Sequence, residues 1–151
     1  MMDIYRFSFP LDNIIVTIFD NINIDPKSLS DISKNNQPSS IIFSIPEKIN
    51  PCSLALIYSY VMEDYDIGEN RISNIALRAL LYLTRSNQLS SAIEKSKSYK
   101  NIAIVTNSIN SLIKALSSLN IKYEKIKETK IGCNLNELND ITSFRLLKLL
   151  L

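Results

Sequence analysis

One stretch constrains the fold more than any other: Arg71 to Thr106, RISNIALRALLYLTRSNQLSSAIEKSKSYKNIAIVT. Ile72, Ile75, Ala76, Ala79, Leu80 and Leu83 recur at helical spacing, which predicts an amphipathic helix. The pattern breaks at Arg85-Ser86-Asn87, and Leu89, Ala92 and Ile93 then restart it for a shorter helix. Asn101 to Thr106 is a short apolar run of the kind buried on both faces of a sheet. A helix, a tight break, a second helix and a buried strand call for an α/β arrangement.

The rest of the chain extends that pattern. Ile4 to Phe9 alternates and stops at Pro10, which predicts a short edge strand. Asn13 to Asp20 and Ile41 to Ile45 read as buried strands, the latter ended by Pro46. Asp25-Pro26 and Asn50-Pro51 each pair an N-cap with proline at the first helical position. The second of these opens a helix to about Asp64 that is apolar on two sides, as in a helix sandwiched inside a protein. Asn107 or Ser108 caps a helix carrying Ile109, Leu112, Ile113, Leu116 and Leu119. Tyr123 to Ile126, rich in lysine, reads as an edge strand, and Asn134 with Glu137 resembles a capping box for a last helix. The order β-β-α-β-α-α-α-β-α-β-α predicts one α/β domain over residues 1–151: a small mixed sheet covered by several helices.

Composition narrows the chemistry. With no histidine, the commonest general base and metal ligand are missing. The two glycines, Gly68 and Gly132, cannot build a phosphate loop or a dinucleotide fingerprint. Cys52 and Cys133 stand far apart and are expected to be reduced and packed. No apolar run approaches a membrane span, and no signal-peptide order opens the sequence, so an intracellular, soluble protein is expected. A net charge of +2 gives weak nonspecific attraction to nucleic acid, so any such contact must come from local clustering.

Four constellations stand out. Arg71, Arg78 and Arg85 are spaced by seven and share one stripe, with Asn74 and Tyr82 beside it. The stripe reads as a solvated flank, or as a set of guanidiniums able to grip phosphates. Arg85-Ser86-Asn87-Gln88 lies at a helix start, where Ser86 or Asn87 serves as a cap or the free N–H groups draw an anion. Glu63, Asp64 and Asp66 lack calcium-loop spacing and read as solvated acids. Phe144 to Leu151 is apolar nearly all round, which fits core burial or a protein partner. No nucleophile, acid–base pair, metal set or cofactor box emerges.

Taken together, the strands IYRFSFP and NIIVTIFD, the helix INPCSLALIYSYVMED and the stretch from Arg71 to Thr106 resemble the kinase-binding subunit family of the KEOPS (EKC) complex, the family of the PRPK-binding protein TPRKB. The resemblance covers essentially the whole chain and is tightest over Arg71 to Thr106. Relatives often carry glycine where this chain has Ser86-Asn87 and Ser96 to Ser98.

The resemblance implies a cytoplasmic, non-catalytic regulatory subunit without cofactors, membrane contact or small-molecule substrate. It would bind and stimulate the complex's small atypical kinase, which acts as an ATPase, and meet the other subunits indirectly. It would also help to hold the 3′ CCA end of tRNA for threonylcarbamoyladenosine modification. Chemistry then assigns residues to partners. Arg71, Arg78, Arg85, Ser86, Asn87 and Gln88 suit phosphates and exposed base edges. Leu56, Tyr60, Phe144, Leu147 and Leu151 suit the kinase. The competing expectations are a small-ligand-binding α/β regulatory domain with a pocket around Tyr58 and Tyr82, and a homodimerisation module using the C-terminal helix.

Overall fold

The computed structural model describes residues 2–7, 11, 13–22, 24–68, 74–133 and 135–150, with the side chains of 135–138 and 147–150 excepted. Among them, five strands and six helices follow in the order expected: β1 (Met2–Phe7), β2 (Ile15–Phe19), α1 (Pro26–Lys34), β3 (Ser40–Ile45), α2 (Pro51–Asp66), α3 (Ile75–Thr84), α4 (Leu89–Ser96), β4 (Asn101–Thr106), α5 (Ile109–Ser118), β5 (Ile126–Ile131) and α6 (Leu135–Leu150). The molecule is an α/β domain built on one mixed sheet in the order β3-β4-β2-β1-β5. The β1–β5 pair is parallel and the other pairs are antiparallel.

Strand alternation sorts the core into two layers. Phe7, Val16, Ile41, Phe43, Ile45, Ala103 and Val105 face one way and pack with α2, α3, α4 and Ile141 of α6. Met2, Ile4, Ile15, Ile42, Ile102 and Ile104 face the other way, onto Leu29 of α1 and Leu112, Ala115 and Leu116 of α5. β3 and β4 are buried at every position because helices cover both faces, which is why their sequences are apolar runs.

The caps act as their residue types predict. Asp25 accepts from the Ser28 N–H and Asn50 from the Cys52 N–H, each followed by its proline. Of the two candidates for α5, Ser108 is the cap and accepts from Ser111. Asn74, expected beside the arginine stripe, instead caps α3, accepting from the Ala76 and Leu77 N–H groups. The proposed capping box at Asn134 and Glu137 lies outside the described residues.

Three expectations need correction. β1 is not an edge strand: β2 and β5 flank it, and its Arg6 pairs with Glu128 of β5 at 2.6 Å. The last strand begins at Ile126, where the Tyr123-to-Ile126 segment was expected to end, although it is the edge its charges suggested. The cysteines are not reduced. Cys52 and Cys133 form a disulfide across 81 residues, with Cα atoms 5.6 Å apart. The chain leaves β5 through Gly132 and arrives against the first turn of α2, a proximity that only tertiary structure creates.

Candidate functional site

The site grows from the break between α3 and α4. Arg85 ends α3 in the left-handed conformation, φ 51° and ψ 43°, and its N–H reaches back to the carbonyls of Leu81 and Tyr82. The Ser86 N–H bonds the Leu81 carbonyl at 3.1 Å, closing the helix end. Thr84 donates to the Leu80 carbonyl and contacts the Ser86 hydroxyl at 2.9 Å, so the Ser86 side chain is used within the turn. Gln88, the N-cap of α4, makes no side-chain capping bond. Neither Ser86 nor Asn87 is therefore the cap that their types suggested.

Around this break the exposed side chains are cationic and amide-bearing. Arg85 is exposed, and one guanidinium N–H is fixed on the Leu83 carbonyl at 2.7 Å. Lys95 reaches the Thr84 carbonyl at 3.4 Å from α4. Asn87 and Gln88 are exposed between them. Arg85 and Lys48 line one open cavity of about 240 Å³ with Asn50, Ser53, Pro46, Ile49, Leu83 and Ile141. Its lining joins the apolar Pro46, Ile49, Leu83 and Ile141 to two cations, a combination that suits an anion attached to a flat or apolar body. Burial raises the Tyr99 phenol, and the positive charge of Arg85 nearby partly opposes that rise.

A second polar cluster lies inside the helical layer, where the sequence led us to expect solvent. Asp64 is 4% exposed, not a solvated acid. Its Oδ1 accepts from Arg145 at 2.9 Å, and its Oδ2 accepts from Arg78 at 3.3 Å and the Tyr82 hydroxyl at 2.6 Å. Arg145 also donates to the Tyr60 carbonyl at 3.1 Å and lies 4.5 Å over the Tyr60 ring. Tyr60 shares a 2.9 Å hydrogen bond with Thr142. Phe144 meets the Tyr82 ring edge-on at 6.0 Å. Burial, followed by the Asp64 carboxylate, raises the Tyr82 phenol despite Arg145. Burial would lower Arg145, but Tyr82, Asp64 and Glu63 outweigh it and raise the guanidinium's pKa.

The predicted site residues thus divide. Arg85, Asn87 and Gln88 are exposed at the break, where Lys48 joins Arg85 at the cavity and Lys95 bonds the Thr84 carbonyl, two cations that sequence reasoning missed. Ser86 is buried in the turn. Arg78, 3% exposed, is a partner of Asp64 and does not extend a surface stripe. Arg71 lies outside the described residues. Of the kinase candidates, Leu56, Tyr60 and Phe144 pack partly buried against the core, while Leu146 is 56% exposed. Leu151 and the Leu147 side chain are outside the described set. Tyr58 and Tyr82, around which a ligand pocket was envisaged, are core residues whose hydroxyls are hydrogen-bonded. Asp64 and Arg145 left no spacing signal because their partnership joins α2 to α6.

Among the described residues no group of three potential metal ligands gathers, and no helix is long and apolar enough to cross a membrane. The chain matches no protein-family model, and no curated protein matches it.

Proposed function

We propose that this chain is a cytoplasmic, non-catalytic docking subunit of a KEOPS-type complex. It binds and stimulates the small atypical kinase and helps to hold the 3′ CCA end of tRNA for threonylcarbamoyl transfer to adenosine. Besides the sequence resemblance, one observation carries the reading: Arg85, from the α3–α4 break, and Lys48, from the β3–α2 corner, converge on a single open cavity. Two cations on a small concave surface suit a short single strand better than a duplex, which needs a longer positive face.

The kinase side of the reading falls on the outer surface of α6. Exposed Leu146 lies there, and the sequence around it, Phe144 to Leu151, is apolar apart from Lys148 and the buried Arg145. Leu56, Tyr60 and Phe144 would support this surface from beneath.

The test is copurification with the kinase, together with affinity for tRNA that carries or lacks its CCA end. Kinase association should survive moderate salt. Loss of CCA should weaken tRNA binding about ten-fold or more, as should Arg85→Gln with Lys48→Gln. A chain that associates with neither macromolecule would overturn the proposal.

A further inference from the structure

We infer that the Cys52–Cys133 disulfide is a reversible redox link that fixes the walls of the Lys48–Arg85 cavity. This rests on the RNA-docking reading of that cavity and on its cytoplasmic setting. Cys52 lies in the first turn of α2, between Asn50 and Ser53, and both neighbours line the cavity. Ile141, another lining residue, follows Cys133 by eight positions and stands in the first half of α6. The bond therefore ties the α2 wall to the segment that delivers the α6 wall.

The two cysteines differ in burial. Cys52 is 2% exposed, whereas Cys133 is half-buried and follows an exposed Gly132. The inferred route therefore starts at Cys133, the less buried of the two residues. One thiolate of an incoming dithiol bonds to Cys133 Sγ, the S–S bond breaks, and Cys52 leaves as a thiolate that takes up a proton. The second thiolate of the dithiol then attacks its own sulfur in the mixed disulfide and releases Cys133, which is protonated in turn. Two electrons and two protons pass to the protein, and the dithiol becomes a disulfide.

Outside hyperthermophiles, a disulfide in a reducing cytoplasm is usually transient or redox-sensing. Sixteen asparagines in 151 residues run against a hyperthermophilic composition. Reduction need not unfold the molecule, because Arg145 still holds α6 on Asp64 and Tyr60. Its effect is local to Asn50–Ser53 and Cys133–Ile141.

The experiment compares oxidised protein, dithiothreitol-reduced protein and the Cys52→Ser/Cys133→Ser variant, each as the full chain. Alkylation counts free thiols, hydrogen exchange reads both cavity walls, and titration with CCA-bearing tRNA reads binding. Reduction should expose two thiols and speed exchange in both wall segments on the order of ten-fold. Protection around Arg145 should persist, tRNA affinity should change several-fold, and the double variant should match the reduced form. A disulfide that resists the dithiol, exchange equal in both states, or global unfolding on reduction overturns the inference. Wall exchange that responds while tRNA affinity does not removes the regulatory role and leaves the docking reading intact. If neither form binds tRNA, the docking reading fails and the control of binding inferred here falls with it.

Discussion

Arg145 on α6 places Nη1 2.9 Å from Oδ1 of Asp64 on α2, a buried ion pair between residues 81 apart in sequence. Arg78 approaches the other carboxylate oxygen from α3, so a single aspartate holds three helices. Two guanidiniums and one carboxylate with so little solvent access would be costly if separated, and here each cation has the same counter-ion. Glu63, on the exposed rim, contacts Arg145 at 3.4 Å and adds little, because water screens it.

The ion-pair geometry predicts unequal mutational costs. Asp64→Asn removes the buried charge that Arg145 and Arg78 share and should destabilise the fold by roughly 3–5 kcal/mol. Arg145→Leu leaves Asp64 with Arg78 and the Tyr82 hydroxyl, and should cost about half as much. Urea unfolding of both variants checks this. Equal losses would mean that Asp64 is not the shared centre.

The β3 edge is protected by a side chain. Ser33 of α1 is fully buried, and its hydroxyl accepts from the Ile42 N–H at 2.9 Å, on the side of β3 away from β4. Ser33→Ala strands that N–H beneath α1 and should cost about 1–3 kcal/mol. Hydrogen exchange at Ile42 should quicken more than at its neighbours. Unchanged protection there would show that the hydroxyl does not satisfy the edge.

Tyr58 predicts an alkaline stability slope. Burial pushes its phenol from 10.0 up to about 12, and the hydroxyl donates to the Ser39 carbonyl at 3.1 Å. Between those values the unfolded chain has lost a proton that the folded chain keeps. The contribution is therefore complete below pH 10, falls as pH rises, and is gone above about pH 12. Wild type should lose about 1 kcal/mol more than Tyr58→Phe between pH 9 and 11, measured by urea unfolding at each pH. Parallel losses would place the phenol in a more solvated setting.

How much of this was legible in the sequence depends on whether the signal was local. Caps at Asp25 and Asn50, the apolar run Asn101–Thr106 and the break at Arg85 are fixed by neighbouring residues, and each appears where the sequence put it. Arg78 misled because a seven-residue spacing shows alignment along a helix but not what covers that side. Here α2 and α6 cover it, and Asp64 is the hidden partner. Likewise, the parallel β1–β5 pairing that makes β1 an interior strand is set by a contact across more than 100 residues, beyond any local pattern. At the candidate site Arg85 was visible as a cation at a helix break. Lys48 was not, because the β3–α2 corner reaches the same cavity only after folding.

Arg85 separates stability from function. Its left-handed backbone, φ 51°, is one that a side chain bearing Cβ adopts at a cost and glycine adopts freely. Arg85→Gly should thus stabilise the fold by about 0.5–1 kcal/mol, after allowing for the lost bond to the Leu83 carbonyl. If Arg85 contacts RNA phosphate, the same substitution should weaken tRNA binding about three- to ten-fold and flatten its salt dependence by close to one counter-ion. Thermal unfolding and tRNA titration at two salt concentrations should therefore move in opposite directions. Stabilisation with unaltered tRNA affinity would leave Arg85 a helix-ending residue alone, whereas weaker binding with a retained salt slope would trace its effect to the shape of the turn.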